Sequence, residues 1–536
     1  MEPNIISSVA SSGLDRVLGN TDSVPYLWPE LVLTLGVLGV IIFDLAAPKE
    51  VRLKGVIAIA LAALLGSASI SVYYLTGDLR PASLFGGQLA FDHYANIFRA
   101  LFGFITATVL ICAIPSPEAD GRAADPRPGQ AAPPKGLPSA RGPAEFITLL
   151  LVVSIGMNLM AMSRSLLMIY LSIEIVSVIS FVMAGFKVND RKSSEAALKY
   201  VVFGGVSSGI MLYGMSWLFG LTRSLLLPEI SERILTLTRA EGHVPEVVFM
   251  ATVCVMAGFG YKISAAPFHM WAPDVYEGAP TTVTAFFSVG PKAAGFAVLI
   301  RFFSDALSAH GGTLGDIQTP WPIVGGVLSM ATMFVGNLSA LQQNNVKRML
   351  AYSSIAHAGY MLLGFCVFTQ EGITAVVFYL FTYCLMNLGA FLIVIAVADR
   401  NGGDETIGAF TGLGTRAPVL AGAMAIFLFS LTGLPPFAGF VGKFYIFAAL
   451  LRAGGKYADW NWFLAAVGVI NSVISLFYYA RLLRAMFLTK ADVEGGVTIR
   501  RLYGTATFAL AVPTVVLGLY WGPIYDFVAR SMQMVR

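Results

Sequence analysis

Apolar runs of about 20 residues recur along nearly the whole chain, and no other feature of the sequence restricts its fold so strongly. A helix rises about 1.5 Å per residue, so a run of that length crosses the ~30 Å hydrocarbon core of a bilayer. Spans are expected at 27–47, 55–75, 93–114, 145–163, 165–186, 200–220, 246–265, 280–303, 321–341, 350–369, 372–398, 418–450, 461–488 and 502–523. This predicts an all-α polytopic membrane protein of about fourteen transmembrane helices, since backbone groups in lipid must pair within their own segment. The charged share of 12% agrees, against about 25% in a soluble domain. Two spans carry helix breakers. The stretch 418–450 is too long for one straight helix and contains Gly433-Leu434-Pro435-Pro436, whose prolines remove two backbone donors and break the helix at mid-depth. The seventh span is interrupted at Ala266-Pro267.

Orientation follows from lysine and arginine, which gather in cytoplasmic loops. The larger share of the 35 falls on the side of Lys49, Arg122, Lys187, Lys347, Arg400 and Arg484. Arg80, Arg164, Arg223, Arg301 and Arg452 mark the other side, while Arg99, Lys199, Lys262, Lys292 and Lys443 lie inside apolar spans. Both termini are therefore expected on the periplasmic side of a bacterial inner membrane. The first residues lack the basic region and cleavage site of a signal peptide, so they are expected in the mature chain. From Pro115 to Pro143 the sequence is rich in Pro, Gly and Ala without an apolar period. It reads as a solvated loop on the basic side, either a contact for a neighbouring subunit or an insertion without a role.

Several function classes are excluded. A net charge of +4 over 536 residues leaves no basic face for nucleic acid. Cys112, Cys254, Cys366 and Cys384 fall in apolar runs without CxxC spacing and read as small core residues, not as disulfide, zinc, haem or iron–sulfur ligands.

A faint internal symmetry is present. Ala-Pro267-Phe268 in span 7 and Pro-Pro436-Phe437 in span 12 lie one five-span unit apart, as do Tyr170-Leu-Ser-Ile-Glu174 in span 5 and Tyr352-Ser-Ser-Ile-Ala356 in span 10. Spans 4–8 and 9–13 thus read as two copies of a unit, and five spans per unit invert the second copy. Interrupted helices at matching places in inverted repeats point to an ion site. The expected organisation is 1–144 for helices 1–3 and the Pro/Ala-rich loop, 145–303 and 321–488 for the repeats, and 489–536 for the last helix.

Ionisable residues inside the spans carry the chemistry. A charge at the bilayer centre costs at least about 2.5–3.5 kcal/mol, so such residues mark ion paths unless they snorkel to the surface. Glu174 has apolar sequence on both sides, Lys262 precedes the first break, Lys292 lies deep in span 8, and Lys443 follows the double proline. Snorkelling is the weaker reading for Glu174, Lys292 and Lys443. Glu195 and Lys199 have the i,i+4 spacing of a helix pair, which serves equally at a surface or beside a path. His269 and His357 suit proton relay, since imidazole titrates near neutral pH, and suit hydrogen-bonded core positions as well. Asp274 and Glu277 read as caps or solvated charges. Glu30, Asp44, Asp92 and Arg99 read as anchors or interhelical pairs.

These residues carry a resemblance. The stretch KISAAPFHMWAPDVYEGAPTTVTAFFSVGPKAAGF (Lys262 to Phe296), with SSEAALKY, QQNNVKRMLAYSSIAHAGYMLLGF and LTGLPPFAGFVGKFY, resembles the subunit N family of respiratory NADH:quinone oxidoreductase (complex I). The resemblance runs from about Pro25 to Leu488. It departs from the family in the Pro115–Pro143 insertion and in Pro291 directly before Lys292. It implies fourteen helices with two inverted five-helix units, and a proton path through Glu174, Lys262, Lys292 and Lys443, with Glu195, Lys199 and His269 supporting. It also implies neighbouring antiporter-like and small membrane subunits, and a division of labour: NADH, FMN, iron–sulfur clusters and quinone belong to partner subunits, with no redox centre in this chain. The resemblance also makes Glu174 and Lys262 a pair, and making or breaking that pair is the right size to switch the lysine. An ion pair at 4 Å is worth about 4 kcal/mol at an effective dielectric near 20, and moving one charge against about 200 mV costs about 4.6 kcal/mol. Two other readings stand beside this one: a subunit of a multisubunit sodium/proton antiporter, and a structural scaffold with a dead channel. The wording of the motifs favours complex I, and the four intramembrane charges argue against the scaffold.

Overall fold

The structure is a computed structural model and describes residues 16–77, 80–114, 142–187, 189–307, 321–490 and 501–532. Its main helices are α1 (Trp28–Ala46), α2 (Lys49–Thr76), α3 (His93–Ala113), α4 (Pro143–Met162), α5 (Leu166–Ala184) and α6 (Arg191–Thr222). They continue with α7 (Leu227–Glu241), α8 (Glu246–Ile263), α9 (Trp271–Gly278), α10 (Thr281–Phe302), α11 (Trp321–Leu341) and α12 (Val346–Cys366). The last six are α13 (Gln370–Ala398), α14 (Pro418–Thr432), α15 (Ala438–Arg452), α16 (Ala458–Phe487), α17 (Arg501–Leu519) and α18 (Gly522–Met532). Every expected span has a helix at its place. Among the described residues 12 helices are long and apolar enough to cross a membrane, and 13 when α17 and α18, bent by 85°, count as one. The stretch 418–450 is missing from that number because it is two 15-residue helices, α14 and α15, flanking the proline pair. The chain is thus an all-α polytopic membrane protein.

Short loops end in side chains that cap the next helix, satisfying amide groups the first turn leaves unpaired. Asp92 accepts from Ala95 N at 2.7 Å, Ser165 from Met168 N at 3.2 Å and Asn345 from Arg348 N at 2.9 Å. Asp190 does the same for α6, so that helix starts at Arg191, well before the expected 200, and its polar first turns stand outside the apolar span. Sequence periodicity gave no sign of the hairpin β1 (Ala82–Leu84) and β2 (Leu89–Phe91), nor of α7, whose Leu227, Ile230 and Ile234 are buried on one face. The Pro/Ala-rich segment, apart from its last residues, lies outside the described residues.

The helices form layers by burial. α10, α12 and α13 are enclosed almost completely, whereas α1, α2 and α6 turn apolar faces outward. α13 packs against α10, α12, α15 and α17, which places it at the centre of the second half of the bundle. Cys112, Cys366 and Cys384 are buried and unpaired, filling core space.

Three basic residues counted with the loops are in fact buried in ion pairs. Arg301 makes a two-pronged contact with Asp92 at 2.6 and 3.0 Å, both side chains fully enclosed, joining α10 to the start of α3. Arg164 holds Asp305 at 2.9 Å, and Lys347 holds Glu405 at 3.0 Å. Short loops between tightly packed helices leave no solvent at these positions, so each cation must find a carboxylate. Arg99 and Glu30 form the expected interhelical pair at 2.7 Å. Lys199, read as lying inside a span, instead keeps about a third of its side chain exposed, because α6 extends past the apolar region.

Candidate functional site

The second interrupted helix builds its own cation site. α14 ends at Gly433, whose φ of 91° only glycine adopts without strain, and the Pro pair prevents the chain from continuing as helix. The last carbonyls of α14 therefore lack amide donors and carry the negative end of the helix dipole. Lys443, one turn into α15, turns back onto them: Nζ donates to Leu431 O at 3.1 Å, Thr432 O at 2.9 Å and Ser472 Oγ at 3.3 Å. It also sits 4.2 Å from the centroid of the Tyr360 ring, whose negative face favours a cation.

Lys292 lies in the most enclosed helix and donates to Ser354 Oγ at 2.6 Å. Ser354 belongs to α12, where Ser353, Ser354, His357 and Tyr360 fall on one face at i, i+1, i+4 and i+7. His357 is buried between two phenols, with Nδ1 2.7 Å from Tyr379 Oη and Nε2 3.3 Å from Tyr479 Oη. Tyr479 Oη in turn lies 2.5 Å from Ser353 Oγ. Tyr360 accepts from Ser472, the same serine that accepts from Lys443. One face of α12 thus presents hydroxyl and imidazole groups from the neighbourhood of Lys292 to that of Lys443.

Glu174 and Lys262, the pair implied by the resemblance, each meet a serine. Lys262 Nζ donates to Ser177 Oγ at 2.8 Å, while the half-buried Glu174 accepts from Ser208 Oγ at 2.5 Å. Ser177 follows Glu174 by three residues on α5, so lysine and carboxylate approach the same helix face without forming an ion pair within 4 Å. The serines hold both groups, each satisfied apart from the other.

The supporting residues separate into two places. Glu195 and Lys199 sit at the loop end of α6, paired at 2.7 Å, and Lys199 also holds Asp274 at 2.6 Å. Asp274 and Glu277, both partly exposed, are held in ion pairs: Arg348 reaches both, at 3.2 and 2.6 Å, and Lys192 reaches Glu277 at 2.9 Å. Partial burial works against the Glu277 charge, but Lys192 and Arg348 hold its carboxyl below the usual range. This network anchors α9 to α6 and α12. His269 lies just before α9, half-buried with its Nδ1 unpartnered, and joins none of the lysines. The serines and tyrosines that contact the lysines were not singled out from the sequence. Only the α12 spacing of Ser353, Ser354, His357 and Tyr360 signalled them.

A polytopic bundle with buried lysines beside interrupted helices has the build of an antiporter-like membrane subunit. Residues 163–475 match the family described as NADH:quinone oxidoreductase/Mrp antiporter, TM. NADH-quinone oxidoreductase subunit N 2 of Sorangium cellulosum is 60% identical over 97% of this chain and 99% of its own length. Subunit N of Anaeromyxobacter sp. is 42% identical over 98% and 99%. Among solved structures, a chain of respiratory complex I from Thermus thermophilus with bound aureothin matches with a TM-score of 0.73 and 28% identity, covering 93% of this chain and 98% of that one. A chain of the Mrp complex from Dietzia sp. has a TM-score of 0.75 at 20% identity over 95% and 97%, a likeness of fold. This chain belongs to the NADH-quinone oxidoreductase subunit N family.

Proposed function

We propose that this chain moves protons through the membrane arm of an NADH:quinone oxidoreductase, using Lys262, Lys292 and Lys443 as successive proton-holding groups. The observation that carries the reading is the polar face of α12, which spans the space between Lys292 and Lys443 inside the most enclosed part of the bundle. Buried ionisable groups are costly in a membrane, and a scaffold has no reason to keep three.

Glu174 acts as the switch. In the state seen, Ser208 and Ser177 hold Glu174 and Lys262 apart. Closing that pair contributes about 4 kcal/mol at 4 Å and favours the charged lysine, and opening it releases the proton toward Lys292. His357, with a phenol at each ring nitrogen, passes the proton along α12, and Lys443 delivers it outward at the second break. Glu195, Lys199 and His269 act in support. The two interrupted helices belong to two inverted five-helix repeats, 145–303 and 321–488, with helices 1–3 before them and a last helix after. NADH, FMN, iron–sulfur clusters and quinone are handled by partner subunits. Other antiporter-like and small membrane subunits flank this one in a bacterial inner membrane, with both termini periplasmic.

Purification of the chain from its native membrane tests the assignment. NADH-oxidising, flavin- and iron–sulfur-containing partners are expected to come with it. Recovery with sodium/proton antiporter subunits alone would overturn it.

A further inference from the structure

A proline directly precedes Lys292 in α10. Pro291 lies inside α10 and has no amide hydrogen, so the carbonyl four residues earlier, that of Phe287, loses its helix donor. A buried carbonyl left without a donor is destabilising, so the fold must supply one from elsewhere. The structure fills this gap from outside the helix: Tyr276 Oη donates to Phe287 O at 3.0 Å. The next carbonyl, Ser288 O, accepts from Tyr383 Oη at 3.3 Å.

Tyr276 is also close to the lysine itself. Lys292 Nζ lies 5.8 Å from the centroid of its ring, and Ser354, the acceptor of Lys292, interacts with Tyr276 as well. The tyrosine is held firmly from behind. It belongs to α9, which Lys192, Lys199 and Arg348 grip through Asp274 and Glu277. Trp271 stacks on Tyr200 at 4.3 Å, and Gly278 brings the end of α9 against the backbone of α6 at Lys192 so closely that no side chain fits.

We infer that Tyr276 is a positioning residue for Lys292: its hydroxyl replaces the amide donor that Pro291 removes and so fixes the turn of α10 from which Lys292 reaches Ser354. The inference rests on the proposed role of Lys292. It makes the proline and the tyrosine a functional pair, and such a pair has a specific repair. Restoring an amide at position 291 supplies the donor from within the helix and makes the hydroxyl dispensable.

The test uses the assembled parent complex in sealed vesicles, reading protons pumped per NADH oxidised alongside the rate of quinone reduction. Tyr276→Phe keeps the ring and removes only the donor. It is expected to lower the pumping ratio toward that of Lys292→Met while quinone reduction continues. The double variant Pro291→Ala/Tyr276→Phe is expected to recover the parental ratio, a rescue that a merely space-filling tyrosine does not give. A parental ratio in Tyr276→Phe would overturn the inference. So would a lowered ratio in the double variant at full assembly, an outcome that decides the matter even if Tyr276→Phe fails to assemble. Parental pumping by Lys292→Met would instead remove the lysine from the path, and the inference with it.

Discussion

Replacing Lys443 separates a proton carrier from a structural cation. The ammonium makes hydrogen bonds to Leu431 O, Thr432 O and Ser472 Oγ and a contact with the Tyr360 ring. Hydrogen bonds to a charged group contribute about 1.5–3 kcal/mol each, and a desolvated cation–π contact about 2 kcal/mol. Against them stands the cost of a buried charge, at least about 2.5–3.5 kcal/mol by insertion scales. Together these contacts, about 6.5–11 kcal/mol, exceed that minimum cost, so Lys443→Met, which loses the contacts and the burial cost together, is expected to assemble less well than the parent. It is also expected to pump poorly. Lys443→Arg keeps a charge and donors for the same carbonyls, so a structural cation site would accept it. Arginine's pKa lies far above neutrality, so it stays protonated and has essentially no neutral form at pH 7. A path through residue 443 therefore stops in both variants. Proton uptake and release in sealed vesicles, at matched amounts of assembled complex, measures this directly. Normal pumping by Lys443→Arg would refute the argument and leave the lysine as a plug in the helix break.

Two further outcomes follow from the geometry. Glu174→Ala is expected to slow pumping while NADH oxidation by the detached peripheral arm is unaffected, with Glu174→Asp doing less harm; pumping at the parental rate in Glu174→Ala would show that Lys262 needs no switch. Asp92→Asn leaves Arg301 charged and fully enclosed without its partner, a loss of about 3–5 kcal/mol, so the subunit is expected to assemble at reduced level and inactivate at lower temperature. An unchanged inactivation temperature would mean that the pair adds little to stability.

The sequence by itself determined the class of fold and the position of most of the chemistry. Apolar runs of bilayer length have one outcome, since a backbone in lipid has only its own segment to pair with. The double proline at 435–436 was legible as a break for the same reason: a missing donor is a local property of the residue. Glu174, Lys262, Lys292 and Lys443 stood out because a charge within an apolar run is costly wherever the helix packs. Tertiary structure alone decided what those charges meet. Arg301 and Lys347 looked like loop cations, because burial beside Asp92 and Glu405 depends on partners 209 and 58 residues away in the chain, and no local pattern encodes such separations. Glu174 and Lys262 were read as a pair, and the packing of α5, α6 and α8 gave each a serine instead. Pro291 was visible as a departure, but its compensation by Tyr276 became visible only once α9 was folded back against α10. Local sequence fixes which backbone and side-chain groups need partners; the packing of distant helices selects the partners, and with them the route a proton can take.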